Sequence, residues 1–233
     1  MADRPRVWLA WSSGKDSAWM LHVLRQEGRF EPAGLLTTFN QAADRVSMHA
    51  VRHALVDAQA AAAGLPLYPV MLPDPCPHEV YAARMAEAVA AARAADIAHI
   101  AFGDLFLEEV RAYRQERLAG SGLTPLFPLW GRDTAALARE MITGGLQARL
   151  TSIDLAQLDA AFAGRAYDAA LLADLPPTAD PCGEKGEFHT FAHGGPMFSR
   201  PIAVRPGAVR QSDGFAFADL MPIDVAAAGQ AGA

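Results

Sequence analysis

Short apolar runs alternate with amphipathic segments through the first 130 residues of the chain. No other feature of the sequence restricts the possible folds as strongly. Val7–Trp11, Ala33–Phe39, Leu67–Leu72 and Ile97–Phe102 read as strands. Ser17–Gly28, His49–Gly64, Pro77–Ala95 and Glu108–Ala119 read as the helices that follow them, closed by Gly28, by Gly64-Leu65-Pro66 and by Gly120-Ser121-Gly122. Thr124–Trp130 reads as a proline-interrupted strand or extended segment. Strand and helix in strict alternation predict a parallel sheet covered by helices on both faces, an α/β architecture.

Beyond Trp130 the alternation loosens. A helix over Thr134–Gly144, a strand over Gln147–Ile153 and a helix around Leu155–Ala163 lead into the glycine- and proline-rich stretch Leu175–Pro196. Pro201–Arg205 and Gly214–Pro222 read as short strands. The expected organisation is a nucleotide-binding domain over residues 1–130, a smaller α+β substrate domain over 131–223, and a disordered tail over 224–233.

Composition restricts the function classes. The chain has 233 residues, 52% hydrophobic and 20% charged, enough for a sizeable core. A net charge of −6 without a Lys/Arg stripe argues against binding a nucleic-acid backbone. The two cysteines, Cys76 and Cys182, have neither zinc-site spacing nor the density of a secreted scaffold, and fit reduced thiols in a cytoplasm. The run Val7–Trp11 is too short for a signal sequence, and no stretch is long enough to span a membrane.

The residues Ser12-Ser13-Gly14-Lys15-Asp16-Ser17 connect the first strand to the first helix. The carboxyl end of a strand in an open α/β sheet is where such folds bind ligands, and a helix N-terminus attracts anions. Small residues let backbone N–H groups approach phosphate oxygens, Lys15 adds a full positive charge, and Ser12 and Ser17 can donate hydroxyl hydrogen bonds. Asp16 caps the helix or approaches Mg²⁺ through water. The Gly-x4-Gly-Lys-Ser/Thr spacing of a Walker A loop is absent, so kinase or GTPase chemistry of that type is not implied.

A second dense cluster lies at Gly183-Glu184-Lys185-Gly186-Glu187-Phe188-His189-Thr190-Phe191, where two carboxylates, an imidazole and a hydroxyl stand among glycines. Such a set suits binding of a substrate or magnesium.

The first string resembles the Ser-Gly-Gly-Lys-Asp-Ser PP-loop of enzymes that cleave ATP between its α- and β-phosphates, with Ser13 in place of the first glycine. The second resembles the Gly-Glu-x-Gly-Glu-Phe-His-Thr signature of the diphthine-ammonia ligase family, the amidating branch of those enzymes. The likeness runs from about residue 6 to 222 and takes in Ser47-Met48-His49, Phe102-Gly103-Asp104, Arg111, Tyr113, Arg114, Pro128-Leu129-Trp130 and Asp180-Pro181-Cys182. It implies a HUP-type nucleotide fold and an ATP-dependent ligase that adenylates a carboxylate for attack by ammonia. Gly103-Asp104 and Tyr113-Arg114 resemble the bacterial subgroup, where the acceptor is expected to be a small metabolite rather than protein-borne diphthine.

On this reading Ser12, Ser13, Gly14, Lys15, Asp16 and Ser17 hold the ATP phosphates, with Lys15 stabilising the departing pyrophosphate. Thr37, Thr38, Phe39, His49, Gly103 and Asp104 complete the nucleotide site, and Asp16 and Asp104 are the candidate Mg²⁺ ligands. Thr37–Phe39 equally fit core packing, and Asp104 a helix cap. Gly183, Glu184, Glu187, His189 and Thr190 bind the acceptor, with Glu184, Glu187 and His189 in proton transfer. Arg111 and Arg114, three residues apart on one helix face, receive an anionic substrate or form surface salt bridges with Glu108. A homo-oligomer is compatible with the sequence. The alternatives are a PP-loop sulfurtransferase acting on RNA through Cys182, and a non-catalytic ATP sensor.

Overall fold

The computed structural model describes residues 4–46 and 49–223. Strand β1 (Arg6–Ala10) alternates its side chains between two apolar layers: Val7 and Leu9 face one, Trp8 the other. β2 (Glu31–Asn40) pairs parallel with β1 on one edge and with β4 (Leu67–Leu72) on the other. β5 (His99–Ala101) pairs with the free edge of β1, and β6 (Thr124–Leu126) with β5. The parallel core therefore runs β4-β2-β1-β5-β6, with its order reversing between β1 and β5. A crevice opens at such a reversal, beyond the carboxyl ends of the two strands.

Helices α1 (Lys15–Glu27) and α2 (His53–Ala63) cover the Val7/Leu9 face. α3 (His78–Ala94) and α4 (Glu108–Leu118) cover the Trp8 face more thinly; α3 buries only Ala88 and Ala92, and α4 only Leu118. A two-residue strand absent from the sequence expectations, β3 (Arg45–Val46), pairs antiparallel with the end of β2 past the end of β1.

The second sheet is antiparallel and ordered β8-β7-β10-β9: β7 (Gln147–Asp154), β8 (Phe188–Gly194), β9 (Val204–Ser212) and β10 (Phe215–Pro222). Helix α5 (Thr134–Thr143) precedes it, held at its N-terminus by the Asp133 carboxylate accepting from the Ala136 N–H. The helix expected over Leu155–Ala163 is instead a turn followed by a single 3₁₀ turn at Ala160–Phe162. Asp154 and Asp159 each accept a backbone N–H two residues on, so the local side-chain bonds compete with helix. A short helix not expected from the sequence, α6 (Ala169–Asp174), follows Asp168. The expected strand Pro201–Arg205 begins only at Val204 and runs on to Ser212. The stretch Leu175–Pro196, whose glycines suggested irregular backbone, contains β8. The expected tail over 224–233 lies outside the described residues, as do Ser47 and Met48.

α1 joins the two sheets. It is buried on almost every side, with Ala18, Trp19, Met20, Leu21 and Leu24 inside one apolar cluster that also contains Phe188, Phe191 and Ala192 of β8. A helix apolar around most of its circumference must be enclosed by structure on both sides. Trp19 Nε1 donates to Glu140 of α5 (3.0 Å), and Arg25 donates to the carbonyls of Ala63 (2.6 Å) and Met197 (2.7 Å). No helix among the described residues is long and apolar enough to cross a membrane.

Candidate active site

The phosphate loop leaves β1 at Trp11 and turns sharply at Ser13, whose φ of 69° is left-handed and unfavourable for any residue with a Cβ. β8 lies at the edge of its sheet, and that open edge meets the loop. The Ala192 N–H donates to the Ser13 carbonyl (3.0 Å), and the Lys15 N–H donates to Thr190 Oγ1 (3.0 Å). The sheet edge thus donates to the loop through Ala192 and accepts from it through the Thr190 hydroxyl.

Gln59 was not singled out by any motif, yet it is fully buried beneath this junction. Its amide accepts from Trp11 Nε1 (2.8 Å) and donates to the carbonyls of Ser13 (2.9 Å) and Ala192 (2.6 Å). One helical glutamine so holds strand β1, the loop and β8 together. Its only sequence signal was a polar residue on the apolar face of α2. Gln59→Leu leaves these groups without their shared partner and should lower the unfolding free energy by about 3 kcal/mol. Chemical denaturation checks this; a loss below about 0.5 kcal/mol would show that the junction does not depend on it.

Lys15 is 2% exposed. Its ammonium donates to Asp16 Oδ2 (2.8 Å) and to the Cys182 carbonyl, and lies 5.5 Å and 5.4 Å from the ring centres of Tyr167 and Phe188. Burial pulls its pKa down, but Asp16, followed by the other acidic groups around it, outweighs burial, so the side chain stays protonated. The lysine of the loop is thereby held by the segment that leads into the second signature.

That signature turns at Gly183, where φ is 67° and an added Cβ would lie 2.8 Å from the Phe188 carbonyl oxygen. Only glycine fits there. Glu184 reaches back to the end of β5, its Oε1 accepting from the Leu105 N–H (2.7 Å) and more weakly from Phe106 (3.4 Å). Burial raises its pKa to about 7, with the two backbone donors opposing and Asp16 reinforcing the shift. Across the loop, Gly103 lets the end of β5 touch α1: a Cβ there would stand 3.2 Å from the Asp16 carbonyl carbon.

The rings of His49 and His189 pack with centroids 4.5 Å apart, and His49 Nδ1 lies 3.3 Å from the Thr190 carbonyl. Burial lowers both pKa values, to about 3 for His49 and about 4 for His189, with the neighbouring positive charges adding to the effect. Both imidazoles are neutral near pH 7. Their sign follows from linkage: above the unfolded value of about 6.5 they cost nothing. As pH falls below it, the unfolded chain takes up protons that the folded chain refuses, and stability drops.

These groups surround one cavity of about 700 Å³ at the strand-order reversal. Ser12, Lys15, Asp16, Ser17, Thr38, His49, Gly103, Asp104, Arg114, Gly183, Glu184, His189 and Thr190 all line it. Ser13 and Gly14 shape the loop from behind. Thr37 and Phe39, one residue out of phase with the lining residues Leu36 and Thr38, point to the opposite face; the Thr37 hydroxyl donates to the Trp11 carbonyl (2.8 Å), and Phe39 is in the core. Arg111 stacks over Trp130 and Phe127 (4.6 and 5.4 Å) rather than facing the cavity, so it and Arg114 do not act as a pair. Glu187 is fully buried, accepting the N–H groups of Asp180 (2.7 Å) and Lys185 (3.0 Å), and supports the turn from outside the cavity.

The far half of the cavity is apolar. Ala10, Leu36, Ile100 and Phe102 form its floor on the sheet, and Met85 and Val89 of α3 its wall, while Tyr113, Arg114 and Arg117 of α4 edge it. Asp16 Oδ1 and Asp104 Oδ2 are buried without a hydrogen-bond partner. Arg114 Nε lies 3.6 Å from the latter. Burial raises the pKa of Asp104, and Arg114 opposes the shift. Two orphaned carboxylate oxygens beside a phosphate loop match the way Mg²⁺ is held, through one or two carboxylates with phosphates and water completing its shell. Among the described residues no group of three or more His, Cys, Asp or Glu side chains could hold a metal by itself.

A family description of the diphthamide synthase N-terminal domain matches residues 5–123, and one of the diphthamide synthase C-terminal domain matches residues 133–217. The chain belongs to the diphthamide synthase family. The first match spans the parallel sheet and phosphate loop, and the second spans the antiparallel sheet and the Gly183–Thr190 signature. No similar protein was found among those with curated descriptions. Family membership supports an ATP-pyrophosphatase or ligase type of function and, with the parallel sheet, a HUP-like α/β fold carrying a smaller C-terminal domain.

Proposed function

We propose that this chain is an ATP-dependent carboxylate–ammonia ligase acting on a small organic acid. The observation that carries this reading is the joining of the two signatures. The Thr190 hydroxyl accepts the Lys15 N–H and the Cys182 carbonyl accepts the Lys15 ammonium, so Glu184 and His189 share a single cavity with the phosphate loop. A cavity of about 700 Å³, polar at the loop and apolar between α3 and α4, suits a nucleotide with its phosphates at the loop and its purine on the apolar floor.

In this reaction an acceptor carboxylate oxygen attacks the α-phosphorus. The bond from that phosphorus to the α–β bridging oxygen breaks, and pyrophosphate leaves. Lys15 and the first turn of α1 stabilise the charge that develops on the phosphates. Asp16 and Asp104 would hold Mg²⁺, whose role when bound is to neutralise phosphate charge. In the second step ammonia attacks the acyl carbon, the C–O bond to AMP breaks, and one N–H proton is lost. Ammonia enters neutral water mainly as ammonium, and Glu184, half ionised at about pH 7, is suited to take its proton.

Cys182 disfavours the sulfurtransferase alternative. Burial, partly offset by Lys15, pushes its thiol up to about 12, and Sγ lies 3.4 Å from the Thr134 carbonyl, so a thiolate nucleophile is not poised there. Cys76 is exposed and apart from it.

The test is incubation with ATP, Mg²⁺ and ammonium across a panel of carboxylic acids. AMP and pyrophosphate should appear in equal amounts together with the amide of one acid class. Formation of ADP and phosphate, or acid-independent turnover only, overturns the reading.

A further inference from the structure

A second, smaller cavity of about 250 Å³ adjoins the first, and His189 and Val46 line both. Its floor is built by strand register. Ser152 of β7 is the cross-strand partner of both His189 on β8 and Phe217 on β10, so the three side chains form one row on one face of the antiparallel sheet. Phe215, two residues from Phe217, extends the row, with ring centres 6.0 Å apart. Both rings are half-buried and belong to neither apolar core. Asn40 and Arg45, from the β2–β3 end of the other sheet, form the opposite wall.

Arg45 and Arg52 both pair with the single carboxylate of Asp219 (3.0 and 2.5 Å), while Asp44, the carboxylate beside them in sequence, faces His53 (3.1 Å). Arg45 makes its contacts to Asp219 and to the Ala50 carbonyl through Nη1 alone, and its Nη2 and Nε have no partner among the described residues. Resting on the ligase reading above, we infer that this cavity is the acceptor subsite. Its ligand is a carboxylic acid with a flat apolar body stacked on Phe215 and Phe217, its reacting carboxylate passing His189 toward the phosphate loop and a second anionic group at its far end meeting Arg45.

The volume falls below the roughly 300–1,000 Å³ of pockets that enclose a drug-sized ligand, which restricts the body to about one ring. An aromatic floor contributes stacking area, and a guanidinium with two free donors recognises a carboxylate in bidentate geometry.

The probes are terephthalate and benzoate, titrated calorimetrically into the full chain in the presence of AMP. Terephthalate should bind about tenfold more tightly than benzoate, the size of one added charge-assisted contact. Arg45→Gln should erase that difference while ATP affinity is unchanged. Ser152→Leu, which fills the floor, should abolish binding of both acids; Ala43→Trp fills the cavity from the exposed β2–β3 turn and serves if the buried substitution misfolds. Equal affinity for the two acids, a difference that survives Arg45→Gln, or binding that survives both filling variants overturns the assignment. Specific acid binding without pyrophosphate release would leave the subsite standing and sink the ligase reading, so the two fail separately.

Discussion

Lys15→Met should lower ATP-dependent pyrophosphate release by about 10²–10³-fold, the usual effect of removing one preorganised group that stabilises developing charge. The Lys15 ammonium is enclosed between the loop carboxylate Asp16 and the Cys182 carbonyl of the segment that leads into the second signature. The methionine also leaves Asp16, a quarter exposed, without its partner. A stability loss of about 2 kcal/mol should follow, less than for a fully buried pair because water and a proton can still reach the carboxylate. The double variant Lys15→Met/Asp16→Asn separates the two effects: thermal stability should return toward wild type while turnover does not. Wild-type turnover in the single variant, measured by coupled pyrophosphate detection, would falsify an electrostatic role for this lysine.

Glu184→Gln should reduce turnover by about 10²–10⁴-fold, as removal of a general base does, with little change in fold. The amide carbonyl can still accept the Leu105 and Phe106 N–H groups, so the turn after β5 keeps its partner. The discriminating readout is the pH profile. Because the wild-type carboxyl is raised to about 7, activity that requires its ionised form should climb through pH 7, and in the variant that limb should vanish. The stability sign is the reverse. A carboxyl whose folded pKa lies above its unfolded value favours the native state fully below about pH 4.5. That contribution is lost as pH rises through 7. The wild type should therefore lose more stability than the variant between pH 5 and pH 8. A variant that keeps the same pH limb would assign it to another group.

Some features were legible because they are local. The phosphate loop declares itself through small residues and a lysine between an apolar strand and a helix, and the α/β sheet through a strand–helix unit that recurs four times before the extended segment at Thr124–Trp130. Strand β8 was not legible, because it is short, follows a run of glycines and buries Thr190, Phe191 and Ala192 in succession, so it lacks the two-residue alternation that marks a half-buried strand. Phe39 and Thr38 are adjacent in sequence and equal as candidates. The pleat alone sends one to the core and the other to the cavity, and which face carries the crevice depends on where α3 and α4 pack.

Glu184 and Glu187 show the same limit. Both stand in one glycine turn, both are carboxylates, and nothing in the spacing distinguishes them. The tertiary fold aims Glu184 across at β5 and the cavity, while Glu187 folds back onto the amides of Asp180 and Lys185. Arg111 and Arg114 diverge likewise: aromatic rings of the Phe127–Trp130 segment capture the first, and Asp104 draws the second toward the cavity.

The sequence by itself determined that a strand, a small-residue loop with Lys15 and a helix follow one another, the arrangement on which the proposed phosphate site rests, since each depends on neighbours within one turn of chain. It also carried, in Gly183–Thr190, a second cluster of chemical groups. Only the tertiary structure decided that these are one site. Residues 175 positions apart meet because α1, apolar around nearly its whole circumference, must be enclosed by both sheets, and that burial seats the free edge of β8 on the loop.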